Sequence, residues 1–585
     1  MPESTIPAEA LRETLTDLRV FVVSEFASQR ALFQRQWALP EDKRVSEGHC
    51  LRGLRFVRRT ANGHWQFRYD ENETDFRDGD FLRLHTGDPL KPLTECALVI
   101  DEPPHITIDT FDALTELRSS NTLCLDTSYF DLESIVLQGI DELGATIRGR
   151  QRILTLLHGD EVGDAIDQDI HDEAWTNSTE SGYNDSQCDA IAAGSASQWC
   201  SLIQGPPGSG KTRVLANIVA DRLARGQRIL ITACTHRAIH QALRMVKLLL
   251  PDEERIAKIG GIVPDPDLPV DQYEYFSDSP LAEMEGGYVV GATVFATRTS
   301  RLKGVEFDAL LIDEASQMTV PLAILGMLTS DTYIIIGDSQ QLPPVVQTCN
   351  PMRAHEHSIF SALKRQDDVV LLDTTYRMNA EITHWASEQF YHGELQAAPG
   401  AAARRLQVAC LEDADWLKQA LAPEAPLIWI EHDQRTTRHV CMEEVDLVHQ
   451  LTAALLRGGL PPSELAIISP FRKQGRRIRK RLQEATDLAA GLEREIVVDT
   501  VERMQGQERE VILISCAASE PSFVRAVADF LFLPSRLNVA VTRARSKVIL
   551  ISSAQLLKMD LPEPAVREAL GVWRDLRASS QVIHV

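Results

Sequence analysis

Short apolar runs alternate with helix-length amphipathic segments over most of the chain from residue 200 onward. Each run is mostly apolar throughout, as in strands buried on both faces, and a segment long enough for a helix follows it. The first set is CSLIQ, RILITAC, YVVGATV, DALLID and TYIIIGD, and the second set is VVLLDT, PLIWIEH, LAIISP, EIVVDTV, EVILISC and KVILISS. The pattern predicts two consecutive α/β domains, each with a parallel sheet covered by helices.

The first 160 residues have a different pattern. Residues 9–37 carry apolar positions at helical spacing, from Leu11 to Phe26, which predicts an amphipathic helix. Between residues 50 and 105, short runs such as LRFVRR, HWQFRYD and DFLRLH are separated by Asn, Gly and Asp, which predicts a small β-barrel or β-sheet. A helical stretch follows at about 129–158. The acidic segment 160–173 reads as a solvated loop or linker.

These changes of pattern divide the chain into four parts. Residues 1–175 form an N-terminal accessory region of helices and a small β-barrel, and residues 176–368 form the first α/β domain. A polar, proline-rich stretch at about 251–284 is interpreted as a small insertion in that domain. Residues 369–560 form the second α/β domain, and residues 561–585 form a C-terminal tail.

Composition and charge narrow the class of protein. Of the 585 residues, 44% are hydrophobic and 25% are charged, as in soluble globular proteins, and no apolar run is long enough for a bilayer. The acidic N-terminus lacks the features of a secretory signal, so we expect a cytoplasmic protein with no membrane partner. The ten cysteines form no CxxC pair, which leaves zinc, iron–sulfur and disulfide frameworks without support. The net charge of −24 requires a local basic track for any nucleic-acid partner.

The run CSLIQ leads directly into residues 205–212, GPPGSGKT. This segment satisfies G-x-x-x-x-G-K-[ST] between a buried strand and a predicted helix at 212–224. Gly208 and Gly210 let the backbone N–H groups face phosphates, and the helix adds its positive end. Lys211 would reach the β- and γ-phosphates, and the Thr212 hydroxyl would ligate Mg²⁺. The predicted cofactors are therefore ATP and Mg²⁺, and the cofactor-binding residues of this segment are Gly205, Pro206, Pro207, Gly208, Ser209, Gly210, Lys211 and Thr212.

Two acidic residues end the next buried strand. Asp313 and Glu314 follow ALLI, at the carboxyl edge of a parallel sheet where they can face a nucleotide held by the first loop. Asp313 would hold Mg²⁺ through water, and Glu314 is placed to activate the water that attacks the γ-phosphate.

Several further segments resemble superfamily 1 helicases. Residues 335–344, IIGDSQQLPP, resemble the family's GDxxQLPP motif, and residues 313–317, DEASQ, are similar to its DEAxQ motif. Residues 375–378, TYRM, are similar to the xYRM motif of the branch that contains the nonsense-mediated-decay helicases. Residues 537–545, LNVAVTRAR, resemble motif VI. The resemblance covers roughly residues 185–555 and implies two tandem RecA-like P-loop domains.

Two more segments resemble motifs of the same family, and one of them departs from the family's pattern at a single residue. Residues 498–501 together with 505–508 resemble motif V. Ser469-Pro470-Phe471 followed by Gln474 matches the family's PY-x-x-Q element, with Phe in place of Tyr.

The resemblance implies roles for individual residues. Gln187 would read the adenine edge, Tyr376 would stack on the base, and Glu508 would contact the ribose. Gln341 would sense the γ-phosphate and the attacking water. Arg377 and Arg543 would act as arginine fingers from the second domain, whereas Arg545 is interpreted as structural. Fixed guanidinium groups on a second domain would make closure of the cleft necessary for hydrolysis and so couple chemistry to motion.

The predicted nucleic-acid track follows strand ends. The family uses such positions for backbone contacts, and they are Thr235, Thr293, Ser469 and Thr500. His236 is either a further contact or a solvent-exposed residue. In FRKQGRRIRKRL, Arg472, Arg476, Arg479 and Lys480 can cluster on one side of a helix, either as the local basic track or as a solvated face. The aromatic residues of the barrel could stack on bases, but strand alternation makes several of them core residues.

The sequence therefore predicts an ATP-dependent helicase or translocase that moves along single-stranded DNA or RNA, with a monomer as the default. The family implies 5′-to-3′ movement. One alternative is a nucleotide-gated clamp or complex remodeller that does not unwind, and another is a P-loop ATPase unrelated to nucleic acid. Strand displacement and stimulation of ATP turnover by single strands distinguish the three.

Overall fold

The computed structural model describes residues 7–60, 63–72, 74, 76, 79–110, 123–158, 166–261, 264–364, 369–485, 491 and 495–585. It begins with helix α1 (Ala8–Trp37) and the short helix α2 (Glu41–Ser46). Helix α1 begins directly after Pro7 and ends before Pro40, since proline disrupts the interior of a helix. Val22, on its apolar stripe, is only 2% exposed. The helix predicted over residues 9–37 is confirmed.

Six antiparallel strands follow and close into a barrel. They are β1 (Cys50–Arg59), β2 (Trp65–Arg68), β3 (Phe81–His85), β4 (Thr94–Glu102), β5 (His105–Thr110) and β6 (Leu123–Thr127). Their order around the barrel is β1-β2-β5-β4-β3-β6. Alternate side chains point inward, so Leu82 and Leu84 of β3 and Ile106 and Ile108 of β5 are fully buried. The predicted β-barrel is confirmed, and it extends past residue 105 to Thr127.

The barrel aromatics are mainly core residues. Phe67 and Tyr69 are buried in the barrel interior, and Phe56 and Trp65 pack against it from partly buried positions. The inward alternation of the strands, rather than base stacking, accounts for the spacing of these residues.

A helical stalk joins the barrel to the rest of the molecule. Helix α3 (Glu133–Ala145) packs along α1, and a π-helical turn at Gly149–Ile153 leads into α4 (Leu154–His158). The indole N–H of Trp37 donates to the carbonyl of Thr127 at 2.9 Å, which ties the end of α1 to the last barrel strand. The helical stretch predicted at about 129–158 is confirmed.

Eight parallel strands form the sheet of the first α/β domain. They are β7 (Cys200–Gln204), β8 (Ile229–Thr232), β9 (Ile256–Ile259), β10 (Asp271–Tyr273), β11 (Val289–Gly291), β12 (Phe307–Ile312), β13 (Ser330–Gly337) and β14 (Val369–Leu371). Their order is β10-β9-β11-β8-β12-β13-β7-β14. In β12, Leu310 and Ile312 enter the core on one face, and Ala309 and Leu311 enter the core on the other. Burial on both faces explains why these strands read as continuous apolar runs.

Helices flank this sheet and lead into it. They are α5 (Gln168–Glu180), α6 (Asp185–Ala196), α7 (Lys211–Ala224), α8 (His236–Leu249), α9 (Val320–Met327) and α10 (Ile359–Leu363). The prediction that the acidic segment forms a loop is in part wrong, because its residues from Gln168 onward form the start of α5. Asp167 caps that helix by accepting from the N–H of Ile170 at 3.2 Å, and acidic residues are favoured at a helix N-terminus. Residues 160–165 of the segment lie outside the described residues.

Two further interpretations of the first domain are wrong. The stretch 251–284 is not a simple insertion, because it supplies β9 and β10 at one edge of the sheet. The run VVLLDT, predicted to begin the second domain at residue 369, contains β14, which pairs with β7 in the first sheet. The polar composition around β9 and β10 concealed the strands in 251–284. The assignment of β14 to the first sheet depends on a pairing between strands far apart in sequence, which local patterning does not show.

The second α/β domain is built on a six-stranded parallel sheet, preceded by the short pair β15 (Thr374–Thr375) and β16 (Gln396–Ala397). Its strands are β17 (Leu427–His432), β18 (Leu465–Ile468), β19 (Val497–Asp499), β20 (Arg509–Ser515), β21 (Ala544–Ser553) and β22 (Gln581–His584), in the order β19-β18-β20-β21-β17-β22. The helices are α11 (Ala380–Phe390), α12 (Pro399–Ala402), α13 (Asp415–Leu421), α14 (Met442–Arg457), α15 (Arg472–Gln483), α16 (Pro521–Ala526), α17 (Ala528–Leu531), α18 (Pro534–Val541) and α19 (Pro564–Ala578). Two tandem α/β domains with parallel sheets are therefore confirmed.

The C-terminal residues 561–585 are not a separate tail. Strand β22 pairs with β17 in the second sheet, and Trp573 of α19 is 4% exposed in the core of the second domain. Among the described residues, no helix combines the length and apolar character needed to cross a membrane.

Candidate active site

The loop between β7 and α7 depends on glycine at two positions. Gly208 and Gly210 have φ angles of 75° and 89°, in the left-handed region that other residues rarely adopt. Lys211, the first residue of α7, folds over the loop, and its Nζ donates to the carbonyl of Gly205 at 2.5 Å. Thr212 follows in the first turn of the helix. Residues 205–212 thus form a cradle of backbone N–H groups at a helix N-terminus, which fits phosphate.

The acidic pair lies at the end of β12, as the sequence predicts. The Asp313 side chain accepts the N–H of Glu314 at 2.9 Å, and Glu314 adopts a positive φ of 52°. Burial of Asp313, together with the charge of Glu314, raises the pKa of Asp313 to about 7, and the cation of Lys211 acts in the opposite direction. Lys211, Asp313 and Glu314 are therefore close enough to influence one another.

The donor set at this place fits Mg²⁺. Asp313 supplies a carboxylate that is only 4% exposed, and Thr212 supplies a hydroxyl from the adjoining helix. Oxygen ligands of this kind are those that Mg²⁺ prefers. Burial and the charge of Glu314 both raise the pKa of Asp313, and a bound divalent cation would lower it by stabilising the carboxylate.

The segment that leads into the second domain lies against the phosphate loop. The N–H of Tyr376 donates to the carbonyl of Gly208 at 2.9 Å, and the Thr375 hydroxyl donates to the carbonyl of Pro207 at 2.8 Å. Arg377 comes next and packs so closely on Gly208 that a Cβ at that glycine would lie 2.5 Å from the Cβ of Arg377. The structure therefore brings a predicted arginine finger to the loop that would hold the phosphates.

The Arg377 guanidinium is held by the second domain. Its Nε donates to the Glu508 carboxylate at 2.7 Å, and its Nη1 donates to the carbonyl of Thr542 at 3.2 Å. Arg545 pairs with three carboxylates, those of Glu464, Glu508 and Glu510, which agrees with the structural role predicted for it. The ribose contact of Glu508 stays a prediction, and in this structure the carboxylate holds Arg377 in place.

Arg543 is buried at the junction of the two domains. It is 2% exposed, and its guanidinium donates to the side-chain oxygen of Gln341 at 3.4 Å and to the carbonyl of Val539 at 3.2 Å. Burial, reinforced by the neighbouring Arg377, lowers the pKa of Arg543 to about 9. Gln341 and both predicted fingers thus meet at one place.

A buried hydrogen-bond network connects the two domains behind Gln341. The Asp338 carboxylate accepts from the Gln341 amide at 2.8 Å and from the Tyr391 hydroxyl at 2.8 Å. The Asn538 amide donates to the Tyr391 oxygen at 3.1 Å and to the carbonyl of Gln340 at 2.9 Å. The sequence assigned no role to Tyr391 or Asn538. Only the position of Asn538 inside the motif VI segment could have drawn attention to it.

The residues predicted for adenine recognition gather at the start of α6. Gln187 is part of a capping box with Asn184, and its side-chain amide also donates to the carbonyl of Ser209 at 2.9 Å. The Asn184 amide in turn donates to the hydroxyl of Tyr376, whose side chain is 43% exposed. The sequence missed Asn184. Base recognition by Gln187 and Tyr376 stays a prediction, to which the structure adds that Gln187 braces the phosphate loop.

The predicted backbone-contact residues follow the carboxyl ends of β8, β11, β18 and β19, and they are Thr235, Thr293, Ser469 and Thr500. Two of these side chains have local partners: the Thr235 hydroxyl caps α8 through the N–H of Ala238, and the Ser469 hydroxyl accepts from the N–H of Phe471. His236 is exposed at the first position of α8. Nucleic-acid contacts of all these residues stay predictions.

Helix α15 carries the predicted basic cluster, but its arginines have different surroundings. Arg476 donates to the carbonyls of Ser46 and Glu47 at 3.3 and 3.0 Å, and Arg479 donates to the carbonyl of Val498 at 2.7 Å. Both also line a groove between this helix and the barrel, whereas Arg472 begins the helix outside that lining set. The predicted single basic face is therefore divided between contacts within the protein and the groove.

These features define a two-domain α/β protein with a P-loop at the junction of its domains. Two family profiles, each described as an AAA domain, match residues 187–347 and 355–555. The DNA replication ATP-dependent helicase/nuclease DNA2 of Xenopus laevis is 28% identical over 411 residues, which cover 64% of this chain and 38% of that protein. The Regulator of nonsense transcripts 1 homolog of Drosophila melanogaster is 29% identical over 407 residues, which cover 61% of this chain and 33% of that protein.

The DNA polymerase alpha-associated DNA helicase A of Schizosaccharomyces pombe is 28% identical over 441 residues, covering 64% of each chain. The chain thus spans only about a third of the length of the Xenopus and Drosophila relatives, 38% and 33%. Together with the ordered motifs, these matches show that the chain is similar to superfamily 1 helicases.

Proposed function

We propose that this protein is an ATP-dependent helicase or translocase that hydrolyses ATP with Mg²⁺ between its two α/β domains and moves along single-stranded DNA or RNA. One observation carries the proposal: Gln341 of the first domain meets Arg543 of the second, next to the loop that Arg377 approaches. A site whose stabilising cations come from the other domain works only when the cleft is closed.

The side chains have separate tasks in the proposed reaction. Residues 205–212 hold the phosphates, and Thr212 and Asp313 hold Mg²⁺, which neutralises charge on the phosphate oxygens when it is bound. Glu314 accepts a proton from the attacking water, which Gln341 orients. Arg377 and Arg543 stabilise the charge that develops on the transferred phosphoryl group.

The proposed strand lies across the carboxyl ends of both sheets, over Thr235, Thr293, Ser469 and Thr500. Opening and closing of the cleft would change the spacing between the two pairs of contacts and so move the strand stepwise. Movement from 5′ to 3′ is part of the proposal and rests on the family resemblance. A cytoplasmic location and a monomeric state also stay predictions.

The test is strand displacement on duplexes that carry a single-stranded 5′ or 3′ tail, each made in matched DNA and RNA versions. We expect ATP turnover that rises with the single strand and displacement from 5′-tailed duplexes. Stimulated turnover without displacement would exclude unwinding and leave either a translocase or the alternative, a nucleotide-gated clamp or complex remodeller. The absence of any stimulation by DNA or RNA would refute the proposal.

Lys211→Ala provides the control within this experiment. The variant loses the cation that faces the β- and γ-phosphates, so turnover should fall to background while the chain stays folded. Near-normal turnover of this variant would remove the phosphate loop from the mechanism.

A further inference from the structure

Three side chains of metal-ligating types meet in the interior of the second domain. His432 is the last residue of β17, Cys441 directly precedes α14, and Glu444 lies in the first turn of that helix. Each is at most 1% exposed, and among the described residues this set of three brings its ligand atoms within 4.8 Å of one another. We propose that the three residues bind one Zn²⁺ ion, which fastens the loop between β17 and α14. The site takes no part in the proposed ATP reaction and does not depend on it.

The chemistry of the three donors selects Zn²⁺. A thiolate sulfur is a soft ligand that suits Zn²⁺, whereas Mg²⁺ and Ca²⁺ are bound through oxygen. Imidazole and carboxylate complete a donor set of the kind that Zn²⁺ takes with three protein ligands, and water fills the fourth tetrahedral position. Thr212 and Asp313 offer oxygen donors alone, so the two sites differ in the ion that they prefer.

The spacing of the three side chains suits a tetrahedral ion. Around Zn²⁺, with bonds of about 2.0–2.3 Å, the ligand atoms lie about 3.3–3.8 Å apart. The Nε2 atom of His432 is already 3.1 Å from a carboxylate oxygen of Glu444. Because none of the three ligand atoms is more than 4.8 Å from another, closing around the ion requires movements of about 1 Å.

Glu444 is a fully buried carboxylate that is oriented by its neighbours. One oxygen accepts from the Ser515 hydroxyl at 2.6 Å, the N–H of Ala517 donates at 2.9 Å, and His432 approaches the other oxygen. Outer partners of this kind hold metal-bound carboxylates in position. A carboxylate removed from water is costly unless a cation faces it, and an ion held by the three side chains would supply that charge.

Cys441 occupies the N-cap position of α14, but its side chain does not cap the helix. Cysteine is not among the residues favoured at an N-cap, so capping does not account for it. The amide of Gln474 fixes its backbone instead, accepting from the Cys441 N–H at 3.0 Å and donating to the Cys441 carbonyl at 3.2 Å. The sulfur therefore faces His432 and Glu444 from a fixed backbone.

The ring of His432 must change its tautomer to bind the ion. The N–H of Gln434 donates to Nδ1 at 3.2 Å, so the proton of the neutral ring lies on Nε2, facing Glu444. Coordination through Nε2 moves that proton to Nδ1, and the Cys441 thiol releases its proton to solvent. The Gln434 N–H must then turn away, which is feasible because Gln434 is exposed in the loop before α14.

The experiment compares Cys441→Ala with Cys234→Ala in the full chain. Cys234 follows β8 as Asp313 follows β12, and the two strands pair at Thr232 and Ile312, so Cys234 tests whether Zn²⁺ is held beside the proposed Mg²⁺ site instead. Chelator-stripped protein is titrated with Zn²⁺ against a chromophoric chelator in excess Mg²⁺. We expect one tightly bound Zn²⁺ per chain in the unmodified protein and in Cys234→Ala. Affinity should fall about 100-fold or more in Cys441→Ala, since even outer partners are worth 10–100-fold.

Two measurements identify the ligands without relying on Cys441→Ala to fold. X-ray absorption of the Zn²⁺-loaded unmodified protein should show one sulfur at about 2.3 Å together with nitrogen and oxygen at about 2.0–2.2 Å. Co²⁺ in place of Zn²⁺ should give a thiolate-to-cobalt charge-transfer band. His432→Gln should keep that band, because the sulfur remains, but should bind Co²⁺ more weakly.

The absence of Zn²⁺ binding in excess Mg²⁺, or a metal shell that contains no sulfur, would overturn the inference. Unchanged affinity in Cys441→Ala would do the same. Loss of binding in Cys234→Ala with retention in Cys441→Ala would move the ion to the edge of the phosphate-loop site and equally overturn it. None of these readouts is ATP turnover, so failure of the zinc site would leave the proposed function standing.

Discussion

Replacing Gly208 with alanine should impair hydrolysis far more than nucleotide binding. The added Cβ would lie 2.5 Å from the Cβ of Arg377 and 2.6 Å from the hydroxyl of Thr375, whereas ordinary contacts begin at about 3.4 Å. Relief of that overlap requires the segment carrying Arg377 to move by about 1 Å, because the atom it meets is next to the backbone rather than at the end of a flexible side chain. A displacement of about 1 Å at a catalytic group costs about 100-fold in rate.

The same substitution has a smaller effect on stability. Gly208 has a φ of 75°, and an L-residue in the left-handed region costs about 1–2 kcal/mol. The backbone N–H groups of the loop remain, so ADP affinity should change much less than kcat. We therefore expect kcat to fall about 100-fold and the free energy of unfolding to fall by about 1–2 kcal/mol.

Gly226→Ala is the matched control. Gly226 lies just after helix α7 with a φ of 78°, and a Cβ there would meet no atom within 4 Å. Its stability loss should reflect the backbone cost alone and so be no larger than that of Gly208→Ala, while its ATP turnover stays normal. The assays are steady-state ATP hydrolysis, calorimetric ADP binding and urea unfolding. Turnover of Gly208→Ala within about threefold of Gly226→Ala would refute the close approach of Arg377 as a requirement for hydrolysis.

Four other substitutions test separate parts of the account. Glu314→Gln keeps the shape of the side chain but cannot accept a proton, so kcat should fall about 10²–10⁴-fold with ATP still bound; unchanged turnover would exclude Glu314 as the base. Arg543→Lys keeps the charge but loses the fork of donors, so turnover should fall about 10³-fold or more, and a smaller loss would assign the residue to packing. Tyr391→Phe removes the hydroxyl that links Asp338 to the second domain, so kcat should fall more than KM rises, and a change in KM alone would contradict this coupling. Burial lowers the pKa of Lys547 to about 7, below its unfolded value of 10.5, so the unfolded chain binds more protons between these pH values. The free energy of unfolding should therefore rise with pH above 7 in the unmodified protein and rise less in Lys547→Met, and parallel pH profiles in urea would refute this.

Local sequence was sufficient to predict the positions of the phosphate loop and the acidic pair in the first domain. The phosphate loop depends on neighbouring residues whose conformation is set within a few positions, and the acidic pair follows directly from the end of an apolar strand. Patterning along the chain likewise predicted the barrel, the stalk helices and the two parallel sheets. In each case the information lies in residues adjacent along the chain.

What the sequence could not supply depends on pairings between distant segments. Strand β14 reads like the start of the second domain, and only its pairing with β7 assigns it to the first sheet. Strand β22 follows a polar stretch, and its partner β17 lies about 150 residues earlier. The link from Asp338 through Tyr391 to Asn538 crosses from one domain to the other, so no local motif contains it.

The basic helix shows a related limit. Residue spacing placed Arg472, Arg476 and Arg479 together, but it could not show that Arg476 would reach the barrel or that Arg479 would bond to β19. Long side chains are directed by whichever carbonyls the tertiary fold brings near them. For this reason the groove residues Lys473 and Arg477 emerged only from the structure, whereas Lys480 belonged to the predicted cluster.

Directed movement along a strand can be measured by displacement of streptavidin from biotinylated single strands. Matched DNA and RNA oligonucleotides carry biotin at either the 3′ or the 5′ end, and release is followed with ATP and with a non-hydrolysable analogue. The account predicts ATP-dependent release that is faster from the 3′ end, and its loss in Gly208→Ala but not in Gly226→Ala. Binding and hydrolysis with no ATP-dependent release from either end of either nucleic acid would contradict the account.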